Sequence, residues 1–486
     1  MRRFLTTTLA ALALLIGLGH AAWAADAAPA PDTATDTTMP TPMDEGATIE
    51  NADAPAATAD ALVKQTDDGP ELVTVLDLEF LVHNLWILIA AFLVFIMHLG
   101  FATLESGLCQ SKNTVNILFK NTMVPTIGLA LYCLWGFGVM YPGESNWMLG
   151  KWFGFAGFGV PGWEEGAAHM SREYYPSYPV YTDFLFQGMF AATAMTIVSG
   201  CVAERIKLST FLIFTVFYVG IVYPIAGSWV WGAGVLGHAK DFAGSTLVHS
   251  VGGWGGLAGI IVLGARKGKY GPNGEVRAIL PSNLPMAAVG VFILWFGWFG
   301  FNGGSVLSAD PASIAYVCVT TSIAAALGGI TAGLVSWFHG KKPDLSMALN
   351  GILAGLVGIT ANADIASLPG AFIIGIICGL AVYFAVLLFD ALKLDDPVGA
   401  LSVHLVCGIL GTMFCAVPAL MHDPQPFLPQ LLTVLTYAAF CFPAALVFWL
   451  ILKAAMGIRV SEDEEEEGLD LGEHGVTAYA IGGERH

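Results

Sequence analysis

The feature that most constrains this chain is a series of apolar runs, each about 20 residues long, recurring from about residue 79 to about residue 455. A run of that length is what a helix needs to cross a hydrocarbon core of about 30 Å. Many of the runs lack a polar face, so a helix buried on one side only does not account for them. Only 12% of residues are charged and 56% are hydrophobic, against about 25% charged in an ordinary soluble domain. A large soluble protein is excluded on these grounds. The expected fold is an all-α polytopic membrane protein.

The spans are expected near 79–101, 115–141, 183–203, 208–227, 245–265, 283–301, 312–336, 345–361, 369–391, 398–418 and 432–455. That makes about eleven helices, each near the required length. Residues 1–24 read as a secretory signal peptide: Arg2 and Arg3 lead, Leu9 to Leu18 form a short apolar core, and Ala22-Trp23-Ala24 is a small-x-small cleavage site. Residues 25–75 read as a disordered acidic linker rich in Ala, Asp, Thr and Pro. The membrane domain then occupies 76–456 and a cytoplasmic tail 457–486.

A cleaved signal puts the mature N-terminus outside, and an odd number of spans puts the C-terminus inside. Cationic residues test that orientation, because cytoplasmic loops carry excess Lys and Arg. Lys112, Lys120, Arg205, Lys207, Arg266, Lys267, Lys269, Arg277, Lys341, Lys342, Lys393, Lys453 and Arg459 fall at expected inner ends; Lys151, Arg172 and Lys240 fall outside. The asymmetry agrees with a bacterial inner-membrane protein of this orientation.

The net charge of −18 says little about partners, since much of it lies in the N-terminal stretch and in the run Glu462 to Glu467. No basic stripe of the kind nucleic-acid binding needs is present. The eight cysteines show neither a disulfide framework nor a CxxC or Cys/His metal spacing. No metal and no cofactor is expected.

Two helices share a pattern. Asp241 precedes Val248-His249-x-Val251-x-Gly253-x-x-Gly256, and Asp396 precedes Val403-His404-x-Val406-x-Gly408-x-x-Gly411, with the same interval from Asp to His. These are expected helices five and ten. Units of five spans insert with opposite orientation, which predicts two inverted five-helix repeats plus one C-terminal helix. His249 and His404 lie several residues inside their spans, where a polar group is costly and faces a partner or a cavity. His98 has no repeat counterpart and reads as structural.

Asp241 reads as a helix cap that also biases an outer vestibule toward cations, and Asp396, before Pro397, as a cap. Aromatic residues gather at expected outer helix ends: Phe186 and Phe190, Trp231 or its rival Trp229, Trp298 and Phe301. They fit an interfacial belt or a cage whose ring faces attract a cation, and spacing alone favours the belt.

The chain resembles the ammonium transporter (Amt/Mep/Rh) family, on the Amt side. The resemblance rests on Asp241-Phe242-Ala243-Gly244-Ser245-Thr246-Leu247-Val248-His249 running on to Arg266, and on Phe186-Gln187-Gly188-Met189-Phe190 and Ala203-Glu204-Arg205. It also rests on Gly297 to Asn302 with Ser305, Asn350 to Leu356, and Asp395-Asp396-Pro397 with His404. In the tail, Gly468-Leu469-Asp470, His474-Gly475 and Ala478-Tyr479 fit as well.

The resemblance implies an external ammonium site of Phe186, Trp231 and Ser305 shaped by Asp241, a gate of Phe190 and Phe301, and a pore lined by His249 and His404. It implies a homotrimer in the lipid bilayer with one pore per subunit. It also implies a PII-type cytosolic signal protein acting on the tail through Gly468, Leu469, Asp470, His474, Gly475 and Tyr479. Ammonium, and with it methylammonium, would shed its proton outside and cross as ammonia, since moving an ion into a low-dielectric medium costs of order 20 kcal/mol in the Born limit. The alternatives are an electroneutral ammonia channel and a sensor acting through a partner. No nucleophile or cofactor motif accompanies the histidines, so no enzyme is expected.

Overall fold

The computed structural model describes residues 63–66, 69–160 and 170–479. The expected signal peptide, most of the expected linker and residues 161–169 lie outside the described residues. The chain divides into two units, Met1–Thr74 and Val75–His486. In the first, β1 (Val63–Thr66) and β2 (Gly69–Leu72) form an antiparallel hairpin, with Val63 opposite Leu72 and Thr66 opposite Gly69. This hairpin falls within the stretch read as a linker.

The second unit is helical. Its long apolar helices are α1 (Val75–Leu108), α2 (Ser111–Met140), α3 (Val180–Val202), α4 (Leu208–Val230), α5 (Ser245–Leu263), α6 (Leu284–Gly304), α7 (Pro311–Gly340), α9 (Leu368–Ala391) and α11 (Phe427–Met456). These nine, among the described residues, are long and apolar enough to cross a membrane. Between them lie two shorter apolar helices, α8 (Leu345–Thr360) and α10 (Leu401–Phe414). Two short helices of the tail follow, α12 (Glu462–Glu467) and α13 (Leu469–His474). This is a multi-pass membrane protein.

The segments expected at 345–361 and 398–418 form these two shorter helices, α8 and α10. Both are enclosed by other helices, and non-helical backbone is tolerated at membrane depth where protein surrounds it. Beyond the last turn of α8, the carbonyls of Thr360 and Ala361 accept from the backbone of Ala243 and Phe242 at 3.0 and 3.1 Å. The chain ahead of α5 thus completes the end of α8.

Starts of helices follow local chemistry. Asn283, Asp310, Asp344 and Ser367 each accept a hydrogen bond from a backbone N–H of the first turn, which is what capping requires. Pro285, Pro311 and Pro369 occupy first-turn positions where a missing N–H costs nothing.

Packing depends on small residues, because lipid supplies no hydrophobic force between helices. A Cβ on Gly107 of α1 would lie 2.5 Å from Ala287 N of α6, and one on Gly290 of α6 would lie 2.6 Å from Leu104 N of α1. Helix α5 is small on several sides: Gly252 meets α3, Gly253 meets Leu405 of α10, and Gly255 meets Tyr218 of α4. This close approach brings the two histidine helices together. The outward faces carry exposed Leu85, Phe92 and Phe95 on α1 and Phe292 and Phe296 on α6, as a lipid-facing surface requires.

Candidate functional site

On the side of the N-terminal ends of α3 and α5, a cavity of about 420 Å³ is lined by Tyr141, Tyr174, Tyr175, Tyr178, Asp183, Phe186, Gln187, Phe190, Trp231, Phe242, Ser305 and Leu307. Phe186, Trp231 and Ser305, which the sequence grouped, share this cavity. Trp229 does not: it is buried against Tyr437 and Phe440 and donates its indole N–H to Trp152 O at 2.7 Å. Trp231 donates its own indole N–H to Asp241 O at 3.0 Å, which fixes the ring beside Phe190 with centroids 5.7 Å apart. Ser305 Oγ donates to Phe301 O at 2.8 Å, leaving its oxygen lone pairs for the cavity.

The cavity floor is aromatic. Phe190 and Phe301 face each other with centroids 4.2 Å apart and planes 33° from parallel, and both are buried. Phe186 meets Phe190 edge to face at 4.8 Å. Beneath Phe301 the ring of His249 lies at 5.3 Å, and the ring of His404 lies 5.2 Å from His249. The two histidines meet Nδ1 to Nδ1 at 3.2 Å. Trp298 stacks on His249 at 5.1 Å and is anchored by its N–H to Thr360 Oγ1 at 2.9 Å. Phe101 flanks His404 at 5.9 Å. His249 Nε2 is buried without a hydrogen-bond partner.

The two histidines are presented in the same way. Each lies in a π-helical first turn, Ser245–Ser250 in α5 and Leu401–Val406 in α10. Each turn is preceded by a glycine in the left-handed region, Gly244 at φ 100 and Gly399 at φ 81, a conformation that costs glycine no Cβ clash. Each is capped by the aspartate of the repeated motif. Asp241 Oδ2 accepts from Thr246 N at 3.0 Å and Leu247 N at 2.8 Å. The two carboxylate oxygens of Asp396 accept from Ala400 N at 3.0 Å and Leu401 N at 2.7 Å. Burial pushes both carboxyls up to about 6 despite those bonds. The repeat read from the sequence is thus a repeat of structure, and π-turns of this kind gather at functional sites.

A model of the Ammonium Transporter Family matches residues 85–479. The chain belongs to the ammonium transporter family. It is 38% identical over 432 residues to the ammonium transporter Amt2 of Archaeoglobus fulgidus, across 82% of this chain and 89% of that one. Among solved structures it is similar to a protein titled "Sensor Amt Protein", with 35% identity and a TM-score of 0.75 over 82% of this chain and 99% of that one. It is also similar to Candida albicans Mep2, with 28% identity and a TM-score of 0.71 over 82% and 91%. Members of this family are transporters, not enzymes.

Within this family member, Asp241 caps the start of α5 and is absent from the cavity lining. It stands behind Trp231, outside the cavity wall, with one oxygen tied to the start of α5. The carboxylate that faces the cavity is Asp183, whose Oδ2 accepts from Tyr174 OH at 2.6 Å. Sequence reasoning missed it. The signal was present: Asp183, Phe186, Gln187 and Phe190 recur at helical spacing on one face of α3.

The side on which the C-terminal tail packs holds a second group the sequence had quoted only as motifs. Asp395 accepts from Arg266 Nε at 2.8 Å and from its second terminal nitrogen at 2.9 Å, and Arg266 also pairs with Glu204. Arg205 donates to Asp395 O at 2.8 Å and to Gly264 O at 3.1 Å. Burial opposes ionisation of Asp395, but Arg266 and Arg205 overcome it and hold the carboxyl down at about 2.

The tail docks on this cluster. Leu469 N donates to Asn113 Oδ1, and Asn116 N to Asp470 Oδ1, both at 2.9 Å; Leu469 and Asp470 are buried. Gly468 lies against Lys112, whose amino group donates to Glu465 O and Glu466 O at 2.7 Å. Glu473 accepts from Leu208 N at 2.8 Å, and His474 lies 5.2 Å from the Phe119 ring. Gly475, at φ 66, ends α13, and Tyr479 is exposed. All eight cysteines are unpaired thiols.

Proposed function

We propose that this chain carries ammonium, and with it methylammonium, across the bacterial inner membrane as ammonia plus a separately handled proton. The single observation that carries the reading is the His249–His404 contact at 3.2 Å directly behind the Phe190–Phe301 pair. Ammonium docks among Phe186, Trp231 and Ser305, where ring faces contribute about 0.5–2 kcal/mol each, and Asp183 supplies the negative potential. The stacked phenylalanines block a hydrated cation. Ammonium gives up its proton there, and the neutral molecule passes along the paired imidazoles, which offer both a donor and an acceptor. Potassium has no proton to give up, and this is the source of selectivity.

Eleven spans, with α8 and α10 among them, give an external N-terminus after removal of a signal peptide, and an internal C-terminus. The matching starts of α5 and α10 support two inverted five-helix repeats. The protein works as a homotrimer, and its docked tail, with Tyr479 exposed, meets a PII-type signal protein. Similarity to a protein titled a sensor favours one second reading, in which the same outer site reports ammonium to a partner through that tail.

Labelled methylammonium uptake into proteoliposomes tests the transport reading. Uptake by the wild type and its loss in His404→Ala and Trp231→Ala is the expected result. Binding without uptake would leave the sensor, and uptake unchanged in both variants would overturn the proposed path.

A further inference from the structure

Below the histidine pair lies a chamber of about 20 Å³, room for one water- or ammonia-sized molecule. His404, Phe101, Thr196, Gly200 and Glu105 are among the residues that line it. Glu105 belongs to the last turns of α1 and is 2% exposed. An ionisable group buried this fully within a membrane protein is costly and marks a route for ions or protons more often than a packing contact.

The environment of Glu105 is built for a carboxylate that changes state. Its Oε2 accepts from Ser199 Oγ at 2.9 Å. Its Oε1 is buried with no hydrogen-bond partner, with Asn121 as its polar neighbour. The Lys120 amino group, on α2, is fully buried; it donates to Ser199 O at 3.2 Å and stands 5.0 Å over the Phe211 ring. The titratable groups facing Glu105 are therefore Lys120 from α2, His404 from α10 and the thiols of Cys109 and Cys201. A carboxylate retained only to join helices would have both oxygens satisfied. Here one oxygen is held and the other has only Asn121 near it, beside a chamber it shares with His404. Asn350 and Val398 line this chamber and also a wider cavity of about 320 Å³ on the side of Arg266 and Asp396, so its way out leads inward.

We propose that Glu105 is the inner proton-exchange group of the pore, returning a proton to ammonia in the chamber it shares with His404. The inference rests on the transport reading above. In the step, the O–H bond of the Glu105 carboxylic acid breaks and an N–H bond forms on the lone pair of ammonia. Ammonium leaves toward the wider cavity, and the carboxylate remains, held by Ser199 Oγ and the charge of Lys120. The proton surrendered at the outer site passes through the histidine pair and one water in the chamber, and restores the acid. No proton is gained or lost over the cycle.

The test uses full-length protein in proteoliposomes, wild type, E105Q and E105D. Ammonium-evoked current on solid-supported membranes is recorded beside infrared difference spectra taken on exchanging potassium for ammonium. The expected result is a carboxylic-acid band change in wild type, its loss in E105Q, and a current reduced about 100-fold in E105Q, with both signals largely kept in E105D. An unchanged band and an undiminished current in E105Q would overturn the proposal. If E105Q does not fold, E105D decides: the band must shift with the changed carboxyl, and an unshifted band would assign it elsewhere and sink the idea. A wild type that neither takes up methylammonium nor admits ammonia would instead refute the transport reading itself.

Discussion

His404 and His249 meet through their Nδ1 atoms at 3.2 Å. Two nitrogens at that distance require one ring to donate and the other to accept, so the pair holds one shared proton between them. Their outer nitrogens then differ, one bare and one protonated, and a small molecule with both N–H bonds and a lone pair can address either. An ion without protons can address neither without shedding its water.

Trp231 lines the cavity and Trp229 is packed in the core, so the proposed path assigns recruitment to the first and folding to the second. Trp231→Ala should raise the half-saturation for methylammonium by roughly 2- to 30-fold, the range of one cation–π contact, at unchanged thermal stability. Trp229→Ala should instead lower stability by about 3–5 kcal/mol, as loss of a buried aromatic does, with little change in half-saturation. Uptake kinetics and thermal unfolding in detergent read both, and an exchange of the two phenotypes would reverse the assignment.

Asp183 supplies the vestibule's charge. Asp183→Asn should raise half-saturation by roughly tenfold at low ionic strength, and the effect should shrink as salt rises. Tyr174→Phe removes the bond to Asp183 but leaves the charge, so a smaller effect is expected. An Asp183→Asn effect that does not depend on salt would show that the carboxylate acts through packing.

Asp395 gives the cluster around Arg266 an acid limit. Its carboxyl is held at about 2 against an ordinary 3.8. A depressed carboxyl contributes stability that is complete above the ordinary value and is lost as pH falls through the folded one. The melting temperature should therefore fall between those two values. Asp395→Asn should cost about 3–5 kcal/mol at neutral pH, the usual result of removing one partner of a buried pair, and should flatten the acid limb. An acid limb unchanged in the variant would place the titrating group elsewhere.

Much of this was legible in the sequence, and the reasons are physical. Spans announce themselves because lipid tolerates few other compositions. The repeated Asp-to-His interval was visible because a capped π-turn fixes its own residue spacing: Asp241 and His249 recur as Asp396 and His404. What was not legible depended on depth and on contacts distant in sequence. Helix α10, Leu401–Phe414, is shorter than the segment expected at 398–418 because hydropathy does not record where a helix begins and ends. Asp183 was missed because spacing along the chain does not reveal which face of α3 turns to the cavity. Glu105 and Lys120 were overlooked as a pair because α3, through Ser199, joins them.

The central claim is that ammonium parts from its proton at the gate and that the twin histidines behind it pass the ammonia while excluding other cations. It is tested most directly by current on solid-supported membranes carrying the reconstituted protein, pulsed with ammonium or potassium, in wild type and His249→Ala. The account predicts an ammonium-evoked current and no potassium current in wild type, with the variant either silent or leaky to potassium. An ammonium current of wild-type size and selectivity in His249→Ala would contradict it.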